Sequence, residues 1–428
     1  MSFTKFTRPI QIKLHQFCNT FAGNFSRPVH KFIQQMVFGI LKGDNVQLNS
    51  IAQSLQEEIP LKKVTQRLGA HLNKAGLWHQ VATATLQAQA SILRRCRFVI
   101  IDLSDISKKY AQKMEGLAGV HDGSENEIGL GYWLCDATAV NDDATVIVPA
   151  YSELFSHTAE VTSENQKILN AVDQVMPFCA SDVIAVFDRG GDREELLTPH
   201  LEADHQFIVR QCGTRHLFYK GKKHTFDFLT RKTKLRWAFT VERIHQNKVR
   251  KLTFDCGAVP VQLTATGKRL WLVVMKERNR SYCWLLCYFK DCTSAWAAME
   301  LAIRGYGLRW KIEEVHRQIK VDYCLEAIRL ERYEALKTMN ALMWMAASFL
   351  YTRLESLALE LIFHAELVLV NRKRFKDVLR FIYYKLAPLC GVKKILAVSQ
   401  LYDKIAFPKA NRQLTLPLPY PALVVARR

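Results

Sequence analysis

Apolar positions recur along this chain with two different periods, and the points where the period changes mark its elements. Residues 1 to about 90 read as helical. Helical spacing over Gln47–Gln56 stops at Pro60 and resumes over Leu61–Leu72, where Val64, Leu68 and Leu72 form one stripe and Lys63, Arg67 and Lys74 another. From Phe98 to Phe155 short apolar runs alternate with turns, and Arg97–Asp102, Gly129–Thr138 and Ala144–Tyr151 read as strands. Val161–Met176 returns to a helical period, with Thr162 or Ser163 as its cap. A second strand ending in an acid follows, Asp182–Phe187 before Asp188, then a helix and the strand Gln206–Arg210. Between about 214 and 290 apolar and basic residues alternate, as in Lys234–Val241 and Gly267–Met275, which suits strands with one solvated face. The longest apolar stretch, Met339–Tyr351, is too short to span a bilayer before Arg353 and Glu355 and is predicted as a core helix.

Composition adds a polyanion partner to this picture. The chain has 428 residues, is 49% hydrophobic and carries a formal net charge of +20. Residues 1–90 hold 10 Lys and Arg against 3 Asp and Glu, and residues 214–290 hold 18 against 4. Those two segments contribute +7 and +14, so the remainder is close to neutral. Charge concentrated in segments marks a track for nucleic acid better than a uniform solubility charge does. The stripe with Lys63 and Arg67 is read in two ways, as a helix-turn-helix facing duplex DNA or as an amphipathic pair with a solvated basic face. The eleven Cys form no CxxC pair, and Cys287 and Cys292 lack partners for a zinc site, so reduced, packed thiols in a cytosolic protein are expected. The amino-terminal residues have no apolar signal region, so secretion is not expected.

Candidate chemistry concentrates in Tyr306–Lys320. Wound as one helix, Leu308, Ile312, Val315 and Ile319 fall within an arc of roughly 60°, a stripe that packs on a core. Tyr306, Arg309, Glu313 and Lys320 share a second arc of roughly 60° beside it, so one carboxylate is flanked by two cations and a phenol. Glu314 points about 100° away from Glu313. A solvated face with an Arg309/Glu313 pair at i,i+4 is the plain alternative. Asp102 and Asp188, each after an apolar strand, supply two further acids; singly, either could be a turn former or helix cap. Asp105 is a weaker rival to Asp102, and Asp192 is expected to cap the helix starting near Glu194.

The spacing Tyr-x2-Arg-x3-Glu-x6-Lys, with Arg-Trp-x-Ile-Glu inside it, resembles the Tyr-Arg-Glu-Lys (YREK) signature of DDE transposases of bacterial insertion sequences. Asp188-Arg189-Gly190 is similar to that family's usual surroundings of its second acid. The resemblance covers roughly residues 98 to 350. It implies an α/β fold, a ribonuclease-H-like catalytic core with a β-rich insertion, plus an N-terminal helical domain. The corresponding division is a DNA-binding domain at 1–90, the core at 91–213 and 291–385, the insertion at 214–290 and a tail at 386–428. Asp102, Asp188 and Glu313 would then be the catalytic carboxylates, holding two Mg²⁺ ions for which Mn²⁺ can substitute. Tyr306, Arg309, Lys320 and Arg189 would contact DNA at the active site, and Lys63 and Arg67 duplex DNA at the amino-terminal domain. The resemblance further implies double-stranded DNA with terminal inverted repeats and a target DNA as partners, a homodimer on DNA, no membrane and a nucleoid-associated cytoplasmic location. A ribonuclease-H-fold nuclease without strand transfer and a catalytically silent DNA-binding regulator are the alternatives.

Overall fold

The computed structural model describes residues 4–108, 111–122, 127–245, 248–277, 281–353 and 424–427. Five helices come first: α1 (Thr4–Asn19), α2 (Arg27–Gly43), α3 (Leu48–Leu55), α4 (Leu61–Leu72) and α5 (Leu77–Leu93). The break before α4 falls at Pro60, whose extended backbone makes it the residue just ahead of the helix. Four strands follow, β1 (Phe98–Ser107), β2 (Ala118–Asp122), β3 (Glu127–Val140) and β4 (Ile147–Phe155). Next come α6 (Glu164–Val175), β5 (Ile184–Phe187), α7 (Glu194–Glu202) and β6 (Gln206–Arg210). Ser163 is the cap of α6, its hydroxyl accepting from the Gln166 amide at 3.2 Å.

The basic region is mostly strands: β7 (Leu217–Tyr219), β8 (Lys222–His224), α8 (Phe226–Lys232), β9 (Trp237–His245), β10 (Lys248–Val261), β11 (Leu270–Glu277) and β12 (Tyr282–Tyr288). The chain then forms α9 (Ala295–Gly307), α10 (Trp310–Arg317) and α11 (Tyr333–Arg353), with β13 (Val424–Arg427) at the end. Residues 354–385, placed in the core from sequence, and most of the tail lie outside the described residues.

Apart from β7 and β8, which form a two-stranded sheet of their own, one mixed sheet organises most of this. Its order is β13-β9-β10-β11-β12-β6-β5-β1-β3-β2, with β4 also paired to β3. Within it β1 runs antiparallel to β3 and parallel to β5, and β5 runs parallel to β6. The basic strands are not a separate body, because β12 pairs antiparallel with β6 and extends the same sheet. Strands β5 and β6 are buried on both faces and so read as continuous apolar runs.

Helix α11 is the hydrophobic centre. Every residue from Ala335 to Tyr351 is buried, because α11 packs against β4 on one side and against α5, α2 and α4 on the other. A helix enclosed all round has no polar stripe to show. Among the described residues no helix is long and apolar enough to cross a membrane. The ten described cysteines are all unpaired.

Candidate active site

The parallel pairing of β1 with β5 brings the first two acids together. Ile100 lies opposite Val186, so Asp102, two residues further along β1, and Asp188, just past the end of β5, fall side by side on one face. Asp102 is not at a strand tip as its sequence context suggested. β1 continues to Ser107 because β3 pairs with it along its whole length, and an antiparallel partner tolerates a polar residue in mid-strand. Asp188 directly follows β5 and turns the chain, its Oδ1 accepting from the Gly190 amide at 2.7 Å. Asp188 therefore has the turn-forming geometry as well as its place beside Asp102.

The segment that reads as one helix is two helices and a wider turn. α9 ends at Gly307, Leu308 and Arg309 form a tight turn, α10 begins at Trp310, and Gln318–Asp322 is π-helical. The apolar stripe is as expected, with Leu308, Ile312, Val315 and Ile319 all buried. It seats α10 against β1, β3 and β4. The polar arc is divided among several partners. The Arg309 guanidinium pairs with Glu313, Arg210 donates to the Tyr306 hydroxyl at 3.5 Å, and Lys320 lies 3.9 Å from Asp105. Glu314 is drawn away from this face by Lys311, at 2.9 Å.

Two side chains that sequence reasoning did not single out complete the face. Asp136 stands directly opposite Asp102 in the β1–β3 register and is fully buried. His316 Nε2 lies 2.8 Å from Asp136 Oδ2, a contact of opposite charges that lacks the alignment of a hydrogen bond. The Ser104 hydroxyl reaches the same oxygen at 3.3 Å. A charged residue inside the buried run Tyr132–Val140 and a histidine one turn after Glu313 were the available signals. Arg210, at the end of β6, reads from the sequence only as a strand residue.

Electrostatics follow from this crowding. Burial pushes the Asp102 carboxyl up to about 6; the charges of Asp188 and Asp136 add to the shift, while His316 and Arg309 oppose it. Burial works against the imidazolium of His316, yet Asp136 and Asp102 outweigh it and hold its pKa above the ordinary value. Burial also raises the Tyr306 phenol, with Arg210 and Arg309 opposing.

The donor set suits a hard cation in part. Asp102 and Asp188 are adjacent carboxylates whose mutual repulsion a divalent ion would relieve. Glu313 is engaged by Arg309, and among the described residues no three Asp, Glu, His or Cys side chains converge closely enough to cage a metal as they stand. Glu313 would have to exchange Arg309 for the ion.

The other expected DNA contacts lie elsewhere. Arg189 is exposed in the turn after Asp188. Lys63 is exposed on α4, whereas Arg67 is held by Glu57 at 2.7 and 2.8 Å and by Gln35 at 3.3 Å. α4 packs on α2, α3 and α11, none of which carries an acid of the site. Asp192 does not cap α7: its carboxylate takes Arg215 at 2.7 Å and the Cys212 amide at 2.8 Å, and Arg193 precedes the helix.

No protein-family model and no curated protein matches the chain. A solved structure described as a piggyBac transposase synaptic complex with hairpin DNA aligns over 96% of this chain and 86% of that one, at 9% identity and a TM-score of 0.42. A likeness that loose supports no argument about this chain.

Proposed function

We propose that this protein is a DNA transposase that cuts element ends and joins them to target DNA, with Asp102, Asp188 and Glu313 as its catalytic carboxylates. The observation that carries the reading is the Asp102/Asp188 pair on β1 and β5, with α10 seated over the same sheet face and delivering Glu313 and Arg309. The order β4-β3-β1-β5-β6, antiparallel among the first three and parallel among the last three, supports a ribonuclease-H-like core with the basic strands as its insertion.

The chemistry assigned to the site is in-line displacement at phosphorus. The attacking oxygen, from water and later from the freed 3′-OH, forms the new P–O bond as the old P–O bond breaks; its proton goes to solvent and the leaving oxygen takes one up. Bound between the carboxylates, Mg²⁺ or Mn²⁺ would activate the attacking oxygen and offset charge on the leaving one. Arg309 and Arg210 hold the scissile phosphate with bidentate forks, and Lys320 and Arg189 add point and rim charge along the strand. Tyr306 lies against an unpaired nucleotide. In this scheme Arg309 would change partner, holding the phosphate and leaving Glu313 free to help hold the ion. Lys63 on α4 contacts duplex DNA, and the working unit is a dimer on paired ends.

The test incubates the full chain with duplex carrying terminal inverted repeats and Mg²⁺, comparing wild type with Asp188→Ala and Glu313→Ala on a denaturing gel. Specific nicking and joining by wild type alone supports the reading. Nicking without joining would reduce it to a nuclease, and end binding with no metal-dependent cleavage would overturn it in favour of a silent regulator.

A further inference from the structure

Asp136 is a carboxylate where packing alone would place an apolar side chain. It sits in the interior of β3 between Cys135 and Ala137, all three fully buried. Removing such a group from water costs several kcal/mol unless a partner compensates. The compensation comes from α10: His316 Nε2 at 2.8 Å from Oδ2, with Ser104 reaching the same oxygen from β1. Asp136 Oδ1 has no hydrogen-bond partner among the described residues, so the pair is not a closed network satisfied within itself.

The place of the pair in the fold gives it a task. Asp136 is the direct cross-strand neighbour of Asp102. His316 lies three residues after Glu313, one helical turn along the same side of α10. The contact therefore ties the helix bearing Glu313 to the strand beside Asp102. The apolar stripe of Ile312, Val315 and Ile319 fixes which side of α10 faces the sheet, but such a stripe resists sliding along the sheet only weakly, since hydrophobic contact is non-directional. A charge contact at one point sets the position along the axis.

The geometry points to Asp136 and His316 as positioning residues that hold Glu313 in register with Asp102 and Asp188 for binding a divalent cation. This rests on the three-carboxylate reading above, and deepens it by assigning two residues outside the carboxylate set. Outer partners of this kind typically change metal affinity by about 10- to 100-fold when removed.

The test measures Mn²⁺ binding to the full chain from the electron paramagnetic resonance signal of free Mn²⁺, together with hydrogen exchange of the α10 amides. The variants are His316→Ala, His316→Gln, Asp136→Asn and, as the control for the cation site, Asp188→Ala. The expected result is a dissociation constant raised about 10- to 100-fold by His316→Ala and Asp136→Asn, with faster exchange confined to α10. Gln keeps much of the side chain but carries no charge, so His316→Gln should lose most of both signals, as Asp136→Asn does. Faster α10 exchange with Mn²⁺ affinity unchanged, while Asp188→Ala abolishes binding, would overturn the positioning role and leave a structural contact. If wild type binds Mn²⁺ no better than Asp188→Ala, the carboxylate reading is what fails; unaltered α10 exchange in His316→Ala would then overturn the docking role on its own.

Discussion

Gly305→Ala sets two opposing effects against each other at the base of the site. In a helix interior, Ala for Gly is favourable by about 1 kcal/mol, and Gly305 lies within α9. A Cβ built there, however, stands 2.6 Å from Ile208 Cδ1, 2.6 Å from Phe98 Cε1 and 2.9 Å from Phe98 Cδ1. Carbon atoms at rest are about 3.5–4.0 Å apart, so one side must give way by roughly 1 Å. Ile208 can swing its terminal methyl. Phe98 is fully buried, and its ring cannot move without disturbing neighbours on β3 and β5. The remaining escape is a lift of α9 off the sheet. Overpacking of this kind costs about 1–3 kcal/mol, which set against the propensity gain leaves a net loss of up to about 2 kcal/mol. Because Tyr306 is the next residue, the lift also breaks its 3.5 Å contact with Arg210. The guanidinium midpoint of Gly305→Ala should fall with its slope unchanged, and end cleavage should fall with it. A raised midpoint would mean that propensity alone decides, and would refute the close approach of α9 to β1 and β6.

Substitutions at the site and on α4 have further expected outcomes. Asp102→Asn should abolish cleavage yet stabilise the fold at pH 8. The folded Asp102 carboxyl holds its proton up to about 6 against an ordinary 3.8, so its ionised form burdens the folded state above pH 6, by about 2 kcal/mol once solvent screening discounts the full shift. The stability gap to wild type should shrink as pH falls through 6 towards 4, and a gap constant with pH would sink the argument. Lys63→Ala should leave the thermal midpoint unchanged and lower the salt slope of duplex binding by about 1, whereas Arg67→Ala should cost up to about 1 kcal/mol through its lost Glu57 pair; anisotropy titrations against salt and thermal scans separate the two. Arg309→Ala frees Glu313 and should tighten Mn²⁺ binding several-fold in titration while weakening DNA binding; a weaker Mn²⁺ affinity would show that Arg309 does not compete with the cation.

Local pattern made the elements legible and left their partnerships obscure. The apolar strand before Asp188 and the helix α4 lie where the sequence puts them, because each is decided by a short stretch of side chains, whereas β1 runs past Asp102 to Ser107. The apolar arc of α10 was readable for the same reason. The break at Leu308–Arg309 and the π-helical turn at Gln318–Asp322 were not, since both are set by how α9 and α10 lie against the sheet and not by their own residues. The joining of the basic strands to the core depends on the β6–β12 pairing, a contact between segments more than seventy residues apart that no local period records. Asp136 was hidden likewise, as its neighbour Asp102 is found only through the β1–β3 register.

Charge placement then links metal and DNA on the proposed function. The turn before α10, α10 and its π-helical extension set three basic side chains against three acids: Arg309 on Glu313, His316 on Asp136 and Lys320 on Asp105. Asp102 and Asp188 make no contact with any cation among the described residues, and their repulsion contributes to the raised Asp102 pKa. Adding a divalent ion alone relieves that pair but leaves Glu313 tied to Arg309. Adding a phosphate alone attracts Arg309 but brings more negative charge towards Asp102 and Asp188. Arriving together, the ion takes Glu313 and the phosphate takes Arg309, and neither step leaves a charge without its opposite. Each ligand should therefore raise the affinity for the other by the same factor, as linkage requires. The Arg309–Glu313 pair carries part of that coupling, so in Arg309→Ala the factor by which bound DNA raises the Mn²⁺ affinity should shrink.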